Sequence, residues 1–66
     1  MQRLRSKLID GFTYDEDTKK LTLWMANGQR RVFVDVPYYV ADDLQASSSP
    51  GSYYKKLIKR KFPAAQ

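Results

Sequence analysis

Residues 51–62 read GSYYKKLIKRKF and set Lys55, Lys56, Lys59, Arg60 and Lys61 close together with no acidic residue between them. Ammonium and guanidinium groups at this density suit the phosphate oxygens of a polyanion, nucleic acid first. Trp24 and Phe33 add a second ingredient beside Arg31. Aromatic rings on an open sheet face stack unpaired bases, at about 1–3 kcal/mol per base. Each signal has a plainer reading. Lysines also form the solvated back of a core helix, where cations near the C-terminus gain ~0.3–1 kcal/mol each from the macrodipole. Against that reading, this helix has no opposite-charge i, i+4 pair, so its like charges repel. Trp24 beside Arg31 is equally a cross-strand cation–π pair, or the two rings are covered by the N-terminal segment or a second copy.

Other chemistries have little to work with. The chain has no cysteine and no histidine, which removes thiol nucleophiles, the usual neutral-pH general base and the commonest zinc ligands. Asp42 and Asp43 are adjacent and diverge on a helix, so they do not share a proton. Asp15, Glu16 and Asp17 lack the spacing, glycine and closing glutamate of a calcium loop and read as a polar turn. No glycine-rich cradle accompanies the lysines, and no serine has an activating base. The expectation is a non-catalytic protein with no metal and no cofactor.

Sixty-six residues make one small domain. A chain of this length buries about 60% of the surface it exposes when unfolded, so its core is thin. The net charge of +5 is unevenly placed. Residues 1–11 carry Arg3, Arg5 and Lys7 against Asp10, residues 12–45 are net acidic, and residues 46–66 hold the five cations of the helix and no acid. No run is long and apolar enough to span a bilayer, and the first residues lack the apolar core of a signal peptide. A cytoplasmic setting is expected, with no membrane partner.

Three strands and two helices must position these residues. KLIDGFTYD is rich in strand formers, with Gly11 marking a bulge or a close backbone approach. DEDTKK is a turn in which Asp15 bonds its own downstream backbone and Lys19 or Lys20 takes a positive φ. In LTLWMANGQRRVFVDVP, Asn27-Gly28 between alternating apolar residues signals a hairpin with a two-residue turn. That register pairs Leu23 with Val32, Leu21 with Val34 and Met25 with Arg30 on a core face. It puts Trp24 with Arg31, Thr22 with Phe33 and Lys20 with Asp35 on an open face.

After Pro37, YYVADDLQAS reads as a first helix. SSSPGS is a linker in which Ser49 or Ser52 caps the second helix and Pro50 opens it. Pro63 ends that helix. At about 100° per residue, Tyr53, Tyr54, Leu57, Ile58 and Phe62 share an apolar arc, with Lys55, Lys56, Lys59 and Arg60 opposite and Lys61 inside the arc near its end.

The order Ile9, Phe12, Tyr14-Asp15, Leu21-x-Leu23, Asn27-Gly28, Val36-Pro37, Leu44, Ser49, Gly51, Tyr53-Tyr54, Ile58 and Lys61-Phe62-Pro63 resembles the KTSC domain. That module of roughly 60 residues occurs alone in bacteria and at the C-terminus of some lysyl-tRNA synthetases. The Asp-Val-Pro after the third strand and the helix GSYYKKLIKRKF are the most specific parts. The resemblance implies RNA binding as a function proposed for the family. The family's Tyr-x-Tyr before Asp-Val-Pro reads Arg31-Val32-Phe33 here, so one ring is replaced by a guanidinium and the other lacks its hydroxyl.

The combined expectation is an α+β domain, a three-stranded antiparallel β-meander followed by two α-helices packed on one face. Residues 1–6 form a flexible basic arm, 7–63 the domain and 64–66 a tail. Its function is to bind RNA or single-stranded nucleic acid: Lys55, Lys56, Lys59 and Arg60 on phosphates, Arg3 and Arg5 assisting from the arm, Trp24 and Phe33 stacking bases, and Arg31 doing either. The alternative is a protein-interaction or homodimerisation module that uses the Trp24/Phe33 face. A basic helix lying on an anionic membrane fits less well, because the helix's apolar arc is needed by the core.

Overall fold

The turn between the last two strands organises the sheet. In the computed structural model, which describes residues 2–62, Gly28 N–H donates to the Met25 carbonyl at 3.0 Å and Met25 N–H donates to Gln29 at 2.8 Å. The loop is therefore Ala26-Asn27-Gly28, three residues rather than two. Gly28 alone of the three takes a positive φ, +89°, a conformation glycine reaches without steric cost. Asn27 Oδ1 instead accepts from Gln29 N–H. The extra loop residue slips the register by one, and a slip of one exchanges the two faces of a strand.

Four strands form an antiparallel sheet in chain order: β1 (Gln2–Arg3), β2 (Ile9–Asp15), β3 (Lys20–Met25) and β4 (Arg30–Phe33). The expected meander is thus extended by an edge strand, and Gln2 and Arg3 pair with Phe12 and Gly11 rather than forming a free arm. In the observed register Leu21 faces Phe33, Thr22 faces Val32, Leu23 faces Arg31 and Trp24 faces Arg30. The register of β2 against β3 shifts between Ile9 and Gly11, at the expected bulge. It lets Ile9, Phe12 and Tyr14 all share the core face despite their uneven spacing.

Two tight bends close the sheet. Asp15 Oδ1 accepts from the N–H groups of Asp17 and Thr18, and Lys19 takes the left-handed conformation, φ +56°. Asp35 does the same, φ +56°, and Val36 N–H then reaches the Lys19 carbonyl at 3.0 Å. Aspartate tolerates this conformation better than most residues. The paired bends turn the chain off the sheet and into α1 (Tyr38–Ala46).

The second helix, α2, covers residues 50–61 in three continuous segments: α from Pro50–Tyr53, π from Tyr54–Ile58, and α from Lys59–Lys61. Ser49 is its N-cap residue and Pro50 its first. Lys59 N–H reaches back five residues to the Tyr54 carbonyl. The π turn has a packing cause. Over the twelve steps from Pro50 to Phe62 an α-helix would overshoot three turns by about 120°, and one extra residue in a wide turn absorbs about 100° of that. Pro50, Tyr54 and Ile58 are buried and Phe62 is half-buried, so the four stack on one face. The uniform arc expected from the sequence does not hold. Leu57 is displaced from it and is 45% exposed.

Both helices cover one face of the sheet. Val40, Ala41 and Leu44 from α1 and Tyr54 and Ile58 from α2 join Ile9, Phe12, Leu21, Leu23, Met25, Phe33 and Val36 in one core. Phe33 meets Tyr54 edge-on at 6.0 Å. Pro63, expected to end α2, and the tail 64–66 lie outside the described residues.

Phe33→Ala should cost about 3–5 kcal/mol, a large share of the stability of so small a domain at about 0.05–0.15 kcal/mol per residue. Urea unfolding followed by circular dichroism measures it. A loss near zero would restore the two-residue turn and a surface Phe33. In the same assay Leu57→Ala should stay within about 0.5 kcal/mol, whereas Ile58→Ala should lose about 2–5 kcal/mol.

Candidate nucleic-acid interface

The π turn leaves every cation of α2 on the outside. Lys55, Lys56, Lys59, Arg60 and Lys61 are all exposed, while Tyr54 and Ile58 seat the helix on the core. The start of the helix packs tightly against the segment that links β1 to β2. A Cβ on Gly51 would come within 3.2 Å of Ser6 Oγ and 3.4 Å of Leu8 Cβ, a separation tight enough to explain the glycine. Ser6 Oγ is itself fixed as an acceptor for Leu8 and Ile9 N–H.

That packing creates a groove of about 410 Å³ whose lining includes Arg5, Lys7 and Lys55 together with Ser48, Ser49 and Ser52. No acidic residue lines it. It shares Arg5 and Ser48 with a neighbouring groove that continues past Arg3 and Ser47 along the edge strand. The two arginines placed on an N-terminal arm and the first lysine of the helix are thereby brought to one surface. Lys7 and the serine run were not singled out from the sequence, because only the fold sets them beside Lys55.

The sheet's open face is different from the one expected. Phe33 is 3% exposed and belongs to the core, so it stacks nothing. Arg31 lies opposite Leu23, on the side of the sheet that the helices cover. It sits exposed at the margin, where its Nη2 donates to Gln29 Oε1 at 3.3 Å. The residue across from Trp24 is Arg30. Pairing across all four strands sets Arg3, Gly11, Trp24 and Arg30 in one row. Gly11 is buried and Trp24 half-buried, while Arg3 and Arg30 at the two ends of the row are exposed.

The cations of α2 and the indole lie on opposite sides of the sheet, since α2 packs on the face Trp24 turns away from. They are not one patch. The strand that carries Arg3, and Arg5 just beyond it, lies at the edge where the two surfaces meet. Among the described residues no cluster of histidine, cysteine or carboxylate side chains is arranged to hold a metal, and no helix is long and apolar enough to cross a membrane.

Acidic groups gather around the β2–β3 turn and α1. Partial burial, then the carboxylates of Glu16 and Asp15, raises the Tyr14 pKa above its usual 10.0. Burial, then Asp43, then Tyr39, does the same for Tyr53. Tyr14 also donates its hydroxyl hydrogen to the Val36 carbonyl, which ties the end of β2 to the start of α1.

Comparison with known proteins agrees with this architecture. The sequence model of the KTSC domain family matches residues 5–62. A protein of Tsukamurella paurometabola is 33% identical over 64 residues, which cover 97% of this chain and 96% of that protein. A lysine–tRNA ligase of Nostoc punctiforme is 34% identical over 59 residues, covering 89% of this chain and 10% of the ligase, so the chain spans about a tenth of that enzyme's length. The crystal structure of a KTSC domain protein from Yersinia pestis superposes with a TM-score of 0.92 at 23% identity, covering 98% of this chain and 92% of that one.

The two perturbed tyrosines make stability sensitive to alkali. The folded state favours their neutral forms, so the contribution is complete below the unfolded pKa of about 10 and is lost as pH rises through the raised folded values. Absorbance at the tyrosinate band should show a late-ionising fraction that Tyr14→Phe and Tyr53→Phe together remove. Thermal stability should fall only above pH about 10.

Proposed function

The chain belongs to the KTSC domain family, and we propose that it is a non-catalytic domain that binds RNA or single-stranded nucleic acid along its basic edge. The observation that carries this reading is the convergence of Arg5, Lys7 and Lys55 with four serines on one groove without an acidic lining residue. Arginine and lysine supply charge-assisted hydrogen bonds to phosphate, and serine hydroxyls position a backbone without reading its sequence. Exposed Lys56, Lys59 and Arg60 extend the positive field along α2, and Arg3 carries it round the edge strand.

A strand that follows this edge reaches the open face, where Trp24 offers a ring and Arg3 and Arg30 flank it. Single-stranded binders combine these two parts, a charged track and stacking rings. The relative from Nostoc punctiforme is named a lysine–tRNA ligase, and a module joined to an enzyme of tRNA agrees with an RNA ligand. Arg30 here takes the place first given to Arg31, and Phe33 has no part in the site.

Fluorescence anisotropy of labelled RNA and DNA single strands of about 12 nucleotides tests this. Four phosphate contacts, from Arg3, Arg5, Lys7 and Lys55, give a slope of log affinity against log salt near −3 for a single strand. Arg5→Ala with Lys55→Ala should bring it to roughly −1.4, and Trp24→Ala should cost about 1–3 kcal/mol with no change of slope. Affinity indifferent to salt between about 50 and 200 mM would overturn the proposal.

A further inference from the structure

A second groove, of unlike chemistry, lies where the β2–β3 turn meets the start of α1. Its walls are Tyr14, Pro37, Tyr38 and Tyr39, with Glu16 and Lys19 on the rim and a volume of about 600 Å³. Past Tyr14, Glu16 and Tyr38 it continues into a channel that reaches Asp42 and Gln45. Tyr38 and Tyr39 are 64% and 51% exposed, the two most exposed large apolar residues among those described. They open α1 side by side, and their rings stand nearly perpendicular, 83° apart at 5.9 Å between centroids. The pair makes a two-walled corner. Tyr14 is held at its base by the hydrogen bond to the Val36 carbonyl.

The charge here is opposite to that of the basic edge. Of the seven acidic residues, Asp15, Glu16 and Asp17 occupy the β2–β3 turn, Asp35 the bend beside Lys19, and Asp42 and Asp43 the exposed side of α1. Glu16 and Asp42 line the groove itself. Tyrosine rings stack nucleic-acid bases elsewhere, but phosphates approaching this corner meet carboxylates, so the field repels a polyanion. A purely apolar partner would cover Glu16 and Asp42 without pairing them, at a desolvation cost. A planar cation suits both parts of the site. Guanidinium stacks on an aromatic face while its edge pairs with a carboxylate, and it is less strongly hydrated than an ammonium.

We propose that this groove docks an extended, arginine-bearing segment of a protein partner, with the guanidinium stacked in the Tyr38–Tyr39 corner and paired with Glu16 or Asp42. The occupant is fixed by charge complementarity and by the shape of the groove, which is long, open and walled by tyrosine and proline in the manner of sites that take extended peptides. The tyrosine corner shares no residue with the basic groove, and the channel beyond it meets the edge-strand groove at Gln2 and Gln45. The domain then holds a nucleic acid on one side and a basic protein segment on the other, and each contact stands or falls independently.

The test is a nitrogen–proton correlation spectrum of the full chain, titrated with a short blocked peptide that alternates proline and arginine and, separately, with its glutamate counterpart. The expected result is arginine-dependent shifts confined to the amides of Tyr14, Glu16, Tyr38, Tyr39 and Asp42. Tyr38→Ala and Glu16→Gln should each weaken binding, and the double variant should do so about tenfold. Both side chains are exposed, and the dispersion of the same spectra reports that the variants are folded. No shifts at these amides, or equal shifts from the glutamate peptide, overturns the proposal. So do shifts there caused by a single-stranded RNA, or by raising the protein concentration alone, since those outcomes give the groove to nucleic acid or to a second copy.

Discussion

The hydrogen bond from Gly28 N–H to the Met25 carbonyl is the constraint on which the rest of this small protein rests. It makes the hairpin loop three residues long, and with that the parity of β4 is settled. Phe33 turns inward to Leu21 and meets Tyr54 edge-on, which gives α2 its seat on the sheet. With a loop one residue shorter, valines would face the helices and Phe33 would face water. The core has no spare volume to offset such a loss, because a chain of this length has a high ratio of surface to interior.

Once α2 is seated by Tyr54 and Ile58, its cations have only the outside to occupy. The π turn refines this arrangement. It keeps Pro50, Tyr54, Ile58 and Phe62 in one line, and it moves Leu57 and Lys61 away from the core. A π turn inside a helix marks a position where packing has overruled the helix's own repeat. Here the overruling side is the line of four residues against the sheet, and all five cations stand exposed, with Leu57 exposed among them.

The fold also sorts charge. Cations from β1, the following segment and α2 border one edge, while all but one of the carboxylates gather where the β2–β3 turn meets α1. Tyr14 ties the two elements of the acidic region together, since its ring sits on the core face of β2 and its hydroxyl holds Val36. A separation of charge across a domain only 27 Å in its longest dimension orients it in the field of any charged partner, well before contact, with a range of about 8–10 Å at physiological salt.

How much of this was legible follows from the range of each interaction. The three longer strands, the two helices, the bulge near Gly11, a positive φ at Lys19 or Lys20 and the Asp15 turn depend on neighbours a few residues apart, and composition and spacing pointed to them. The same holds for the exposed lysines of α2, whose type and crowding already exclude them from a core. The register of β4 was not determined in this way. Asn-Gly serves both a two-residue and a three-residue loop, and alternation alone supports either, since Val32, Val34 and Phe33 are all apolar. The choice came from the volume that only Phe33 fills against Tyr54, a contact between residues far apart in the chain. The edge strand, the meeting of Arg5 and Lys7 with Lys55, the exchange of Arg31 for Arg30 beside Trp24, and the tyrosine corner all follow from that packing. Local patterns set which residues are polar and which are apolar. The faces they occupy, and their company there, were decided by the filling of one thin core.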